Sequence, residues 1–216
     1  MTRKHGMKKQ EAMNPWRRAF LRVGLACCAL PLIGCGNGSR FHNLDISGAD
    51  YGRDFALLDP DGNTRRLSEF RGKVVMVFFG FVQCPDVCPT ALQRAAAVRR
   101  LLGADGERFQ IIFITLDPER DLPGVLREYS AAFDANVIGL YDTLEKTRET
   151  ADAFRIYFRK VPTSFGYTID HTATSYVYDP EGRLRLAVTH QSTAELIAAD
   201  VALLLDPLST TDKETR

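Results

Sequence analysis

The chain has 216 residues, 45% of them hydrophobic and 25% charged, with 28 Lys and Arg against 27 Asp and Glu. That length and balance fit one globular domain with short appendages, and exclude a disordered, collagen-like or multi-span membrane chain. The near-neutral total also supplies no global basic field for binding nucleic acid.

The charges are unevenly placed. Residues 1–34 hold seven Lys or Arg and one acid, a local net charge of +6, which leaves residues 35–216 at −5. This basic start runs into an apolar stretch, Val23 to Ile33. A spanning helix needs about 20 residues, so the stretch reads as the apolar part of a cleaved export signal. Leu32-Ile33-Gly34-Cys35 resembles the lipobox of bacterial lipoproteins, in which the cysteine is lipidated and becomes the first residue after cleavage. Arg17-Arg18-Ala19-Phe20-Leu21-Arg22 resembles a twin-arginine motif, although an ordinary basic region on the general secretion route fits the same residues. The expectation is a signal peptide over 1–34, lipid on Cys35, a flexible tether over 35–49 and a periplasmic domain anchored to a membrane without spanning it.

The predicted domain runs over 50–206, with a frayed polar tail at 207–216. Phe55 to Leu58 reads as a short strand before a tight turn at Asp59-Pro-Asp-Gly-Asn63. Lys73 to Phe79 and Gln110 to Leu116 are continuous β-branched and aromatic runs, the pattern of strands buried on both faces. Pro89 to Leu102 between them reads as a helix, giving a βαβ unit. Leu122 to Phe133 and Thr143 to Phe154 read as helices behind the capping acids Asp121 and Asp142. Tyr167 to Ile169, Ser175 to Tyr178 and Leu184 to Val188 read as strands, the last two joined by a turn at Asp179-Pro-Glu-Gly182. Ser192-Thr-Ala-Glu195 matches a capping box before a last helix ending near Leu205. The class is α/β, a small central mixed sheet flanked by helices, and the order of elements suggests a thioredoxin-like architecture.

Five cysteines are present. Cys27 and Cys28 leave with the signal and Cys35 takes lipid, so only Cys84 and Cys88 remain in the folded part. In an oxidising compartment such a pair is a disulfide, a redox couple or a soft-metal site. A purely structural disulfide is disfavoured, because so short a loop gains least from a crosslink. The pair lies where a buried strand ends and a helix begins, a place where ligands bind in α/β sheets and where thiol pKa values are expected to fall. Pro89 suits the first helical position.

Of the four His residues, His5 falls in the signal, His42 in the tether and His190 in a polar loop. His171, between two predicted strands, can face the thiols. Two thiolates and one imidazole suit Cu(I) and also accept Cu(II), whereas structural zinc wants a fourth protein ligand. The Asp117-Pro-Glu-Arg-Asp121 stretch follows the second core strand and so emerges near the site edge; it reads mainly as a turn with a cap from Asp121 and an ion pair through Arg120, with a supporting role for Asp117 near the metal as the alternative.

Phe78-Phe-Gly-Phe-Val-Gln-Cys84-Pro-Asp-Val-Cys88-Pro, Leu116-Asp-Pro-Glu-Arg-Asp121, the Phe133 to Leu140 segment, Tyr167-Thr-Ile-Asp-His171-Thr-Ala and Tyr178-Asp-Pro-Glu-Gly-Arg183 resemble the successive motifs of the Sco/SenC family. The resemblance implies a membrane-tethered thioredoxin-like protein that takes copper from a donor to the dinuclear copper subunit of cytochrome c oxidase. Cys84 and Cys88 would be the copper thiolates and redox pair, and His171 the imidazole ligand. Gln83 departs from the family, where many members carry His. A thiol-disulfide oxidoreductase acting on a partner's cysteines is the competing reading. A peroxiredoxin-type peroxidase is disfavoured, because neither thiol carries the PxxxTxxC pattern.

Overall fold

The computed structural model describes residues 40–206. The expected signal, the twin-arginine motif, Cys27, Cys28, the lipidation site Cys35 and the tail at 207–216 lie outside the described residues. In chain order the elements are β1 (Leu44–Asp45), β2 (Ala56–Leu58), β3 (Thr64–Arg66), β4 (Val74–Gly80), α1 (Val87–Leu101), β5 (Phe109–Thr115), α2 (Pro123–Ala131), β6 (Val137–Leu140), α3 (Leu144–Ala153), β7 (Phe158–Thr163), β8 (Gly166–His171), β9 (Ser175–Tyr178), β10 (Leu184–Val188) and α4 (Ala194–Leu205).

The two apolar runs form the middle of the sheet because they have no polar face to turn to water. Every residue of β4 and of β5 is buried, and the two pair in parallel from Val74 opposite Phe109 to Gly80 opposite Thr115. The full order is β1-β10-β9-β4-β5-β6, with β6 parallel to β5 and the β9, β10 and β1 side antiparallel. This is the small mixed sheet flanked by helices that the pattern predicts.

Side chains alternate across β4. Phe79 meets Phe154 on one face, with ring centroids 5.1 Å apart. Phe78 and Gly80 point to the other face, where Phe78 stacks on Phe113 and a Cβ built on Gly80 would lie 2.7 Å from Cys88 Sγ. That second face carries α1, whose buried stripe is Cys88, Leu92, Ala95, Ala96 and Val98, and α1 packs in turn on α4. The carboxyl end of β4, the start of α1 and the sheet face beneath them therefore converge on Cys88.

Several local expectations are corrected. Residues 40–49 are not all tether, because β1 joins the sheet edge and Phe41 and Asn43 are buried. The fully buried carboxylate of Asp200 accepts the backbone N–H groups of His42 and Asn43, each at 2.8 Å, and the Asn43 side-chain amide at 2.8 Å. Asp200 of α4 thus holds the segment at His42 and Asn43, and the domain begins before Asp50. The cap of α4 is Thr193, not Ser192, and that of α3 is Thr143, not Asp142. Asp121 caps no helix; it turns inward, as described below. Pro89 is the third residue of α1, where its missing N–H still lies in the first, unbonded turn.

The largest addition is an antiparallel hairpin of β7 and β8, of which only Tyr167 to Ile169 was foreseen. It forms a separate two-stranded sheet, paired with no strand of the main one.

Candidate metal centre

Cys84 precedes α1 in a turn closed by its own N–H to the Phe81 carbonyl, and Cys88 sits one turn further on, inside the helix. The Cys88 N–H donates to Cys84 Sγ at 3.4 Å, so the helix start aims a backbone dipole at the outer sulfur. Cys88 is fully buried and Cys84 half-buried, and neither forms a disulfide.

His171 ends β8 and enters from the opposite side. Its Nε2 lies 3.7 Å from Cys88 Sγ, while Nδ1 lies 2.9 Å from the Thr172 carbonyl. A carbonyl only accepts, so Nδ1 carries the proton and Nε2 presents a bare lone pair to the sulfurs. Such a backbone partner on the far nitrogen is the usual support of a metal-binding imidazole. The ring is fixed edge-on between Phe78 and Phe81, with centroids 6.3 and 5.9 Å away.

Cys84, Cys88 and His171 are thus brought together, with one donor atom from each within 4.8 Å of the other two. A three-coordinate transition metal with bonds of about 2.0–2.3 Å would hold sulfur and nitrogen roughly 3.8 Å apart, close to the separation observed. The group contains no carboxylate, which disfavours hard ions such as calcium or magnesium. Gln83 contributes nothing to it, since its side-chain oxygen accepts from Arg120 Nη1 at 2.9 Å.

The protonation chemistry departs from expectation in one respect. Burial, reinforced by the neighbouring Cys84 sulfur, pushes the Cys88 thiol far above its ordinary range, so the helix terminus does not make this a free thiolate. Burial also holds the His171 imidazole below its ordinary pKa. The folded metal-free state therefore prefers a neutral thiol and a neutral imidazole. His171 disfavours folding increasingly as pH falls below about 6.5, where the unfolded imidazole gains a proton, and Cys88 does so as pH rises above about 8.5, where the unfolded thiol loses one. Urea midpoints of the reduced protein are expected to peak between those limits; a profile still rising from about pH 6.5 down to 5 would contradict the burial of His171.

The polar network beside the ligands is wider than the turn and ion pair read from the sequence. Arg120 pairs with buried Asp117, as the stretch suggests, but it also reaches Gln83 and the Tyr167 carbonyl. Asp121 accepts the Val82 N–H at 3.0 Å and the Thr115 hydroxyl at 2.5 Å, tying the segment before Cys84 to the end of β5. Only the position of Asp117 and Asp121 after a core strand signalled this beforehand.

A family model described as SCO1/SenC matches residues 45–206. The protein sco1 of Schizosaccharomyces pombe is 35% identical over 152 residues, covering 68% of this chain and 58% of that protein, so the chain spans less than two thirds of that relative's length. Among solved structures, copper-bound ScoI of Bradyrhizobium japonicum is 37% identical and covers 71% of this chain and 98% of its own, with a TM-score of 0.65. The apo Sco1 of Thermus thermophilus is 38% identical, covers 78% of this chain and 99% of its own, and has a TM-score of 0.69. With this family match over nearly all the described residues, and a thioredoxin-like sheet that brings CxxxC and a histidine together, the chain belongs to the SCO1/SenC family.

Proposed function

We propose that this protein binds copper through Cys84, Cys88 and His171 and delivers it to the dinuclear copper site of cytochrome c oxidase, working from a lipid anchor at Cys35 on the periplasmic side of a membrane. The observation that carries the copper reading is the bare Nε2 of His171 facing two thiols with no competing ligand in the group. Copper bound to the related ScoI supports it, as does family membership. The lipobox-like Leu32 to Cys35 supports the anchor.

The donor set acts as a redox-gated holder. Reduced, the two sulfurs and the imidazole take the ion, and each thiol that binds releases a proton. Oxidation of the bound pair to a disulfide by a two-electron oxidant such as a partner's disulfide, the protons having already left when the ion bound, removes two of three ligands and frees the cargo. Cys84 is the sulfur a partner's thiolates can reach first, because Cys88 lies beneath it. The same exposure favours the second reading, in which Cys84 attacks a partner's disulfide and Cys88 resolves it.

A copper titration of the reduced protein separates the two. One tightly held ion per chain, with a thiolate-to-copper charge-transfer band when Cu(II) is used, is the expected result. Copper removed by mild gel filtration, together with rapid dithiol exchange on a disulfide peptide, would overturn delivery in favour of thiol reduction.

A further inference from the structure

The hairpin that carries His171 has no strand partner in the main sheet, so side chains must hold it over Cys88. The loop after β5 supplies them. Arg120 Nη1 donates to the Tyr167 carbonyl at 2.9 Å and to Gln83 Oε1 at 2.9 Å. Its guanidinium lies 3.8 Å from the centroid of the Tyr167 ring, and its Nε donates to Asp117. Asp117, 1% exposed, also accepts the Tyr167 hydroxyl at 2.9 Å. Tyr167 and His171 are four residues apart on β8, hence on one face of the strand. Gln83 immediately precedes Cys84. One guanidinium therefore grips both arms of the ligand group.

Resting on the copper-binding reading above, we propose that Arg120 is a positioning residue that sets the Cys84 loop and the His171 hairpin in register before the ion arrives. Holding the ligands in place beforehand lowers the ordering cost of binding. The role depends on the planar fork, because a lysine ammonium can neutralise Asp117 but cannot bond two carbonyl oxygens while stacking on a ring. Lys160 also lies over this ring, 4.5 Å from its centroid, and pairs with Glu119, so the hairpin keeps that tie and the Tyr167–Asp117 bond when Arg120 is lost.

Arg120→Lys is the variant to make, since it leaves a cation beside buried Asp117 and preserves the fold; Arg120→Ala serves as the extreme. Two measurements are needed. Amide hydrogen exchange of residues 166–171 is followed in the reduced, metal-free protein, and Cu(I) affinity is measured by competition with a chromophoric chelator. Faster exchange in the hairpin with an unchanged core, and an affinity lowered about 10- to 100-fold as for other outer partners of metal ligands, is expected for Arg120→Lys, with a larger effect for Arg120→Ala. Wild-type exchange at 166–171 in Arg120→Lys overturns the proposal. So does a loosened hairpin that binds Cu(I) as tightly as the wild type. Failure of the wild type itself to hold copper would instead sink the copper reading, and the exchange data would then judge the clamp alone.

Discussion

Replacing His171 by Ala is expected to lower copper affinity by more than about 100-fold, since even the outer partners of metal ligands are worth 10- to 100-fold, while the Cys84–Cys88 pair still cycles between dithiol and disulfide. The two effects separate because the imidazole enters on β8, whereas both sulfurs sit on the turn into α1. No backbone element is disturbed, and the half-buried ring is replaced by a smaller side chain at a strand end. The Cu(II) complex should lose the spectroscopic signature of nitrogen coordination first and retain sulfur charge transfer more weakly. Chelator competition and thiol titration of the same preparation check both halves. An unchanged copper affinity would remove His171 from the ligand set and leave a two-sulfur site. A shifted disulfide potential with unchanged copper affinity would assign the imidazole to thiol chemistry instead.

What was legible in the sequence follows where burial is complete. The runs at 74–80 and 109–115 declare themselves because every side chain in them is apolar or β-branched but for Gly80 and Gln110, and CxxxC stands at the end of the first. Strand β7 does not, because Arg159, Lys160, Pro162 and Thr163 give no alternation of apolar and polar residues; the hairpin it forms with β8 is held by its own pairing and by side chains from distant parts of the sequence. Strand β1 is two residues long, and its anchor is a buried aspartate 157 residues away from Asn43, beyond the reach of any local pattern. His171 does lie beside the two thiols, but the sequence places it in a connection, whereas it is the last residue of a strand. Asp121 reads as a helix cap from its neighbours in sequence, yet the backbone N–H it satisfies belongs to Val82, in the loop that leads to Cys84. Polar groups whose partners lie far along the chain are the ones that sequence spacing misplaces.

Gly80 shows how closely the sheet itself defines the site, and Gly80→Ala is expected to destabilise the fold. A Cβ there would lie 2.7 Å from Cys88 Sγ, 2.9 Å from Phe113 and 3.0 Å from Phe78, inside contact distance of three buried groups at once. None has an easy escape. Phe78 and Phe113 are stacked on each other, and Cys88 is fixed in the first turn of α1. The backbone cannot yield either, because Gly80 ends the ladder with β5 and its carbonyl accepts the Leu116 N–H at 2.7 Å. Overpacking of this kind costs up to about 3 kcal/mol, which for a domain of this size lowers the melting temperature by roughly 6–12 °C. Copper affinity should fall with it, because the atom pushed aside is itself a ligand. The cause can be isolated with a double-mutant cycle. Cys88→Ala removes the nearest clashing atom, so Gly80→Ala should cost distinctly less stability in that background than in the wild type. Equal costs in both backgrounds would mean that the Cys88 sulfur does not occupy the space above Gly80. The CxxxC turn would then sit further from the sheet, and the inner thiol would be open to solvent.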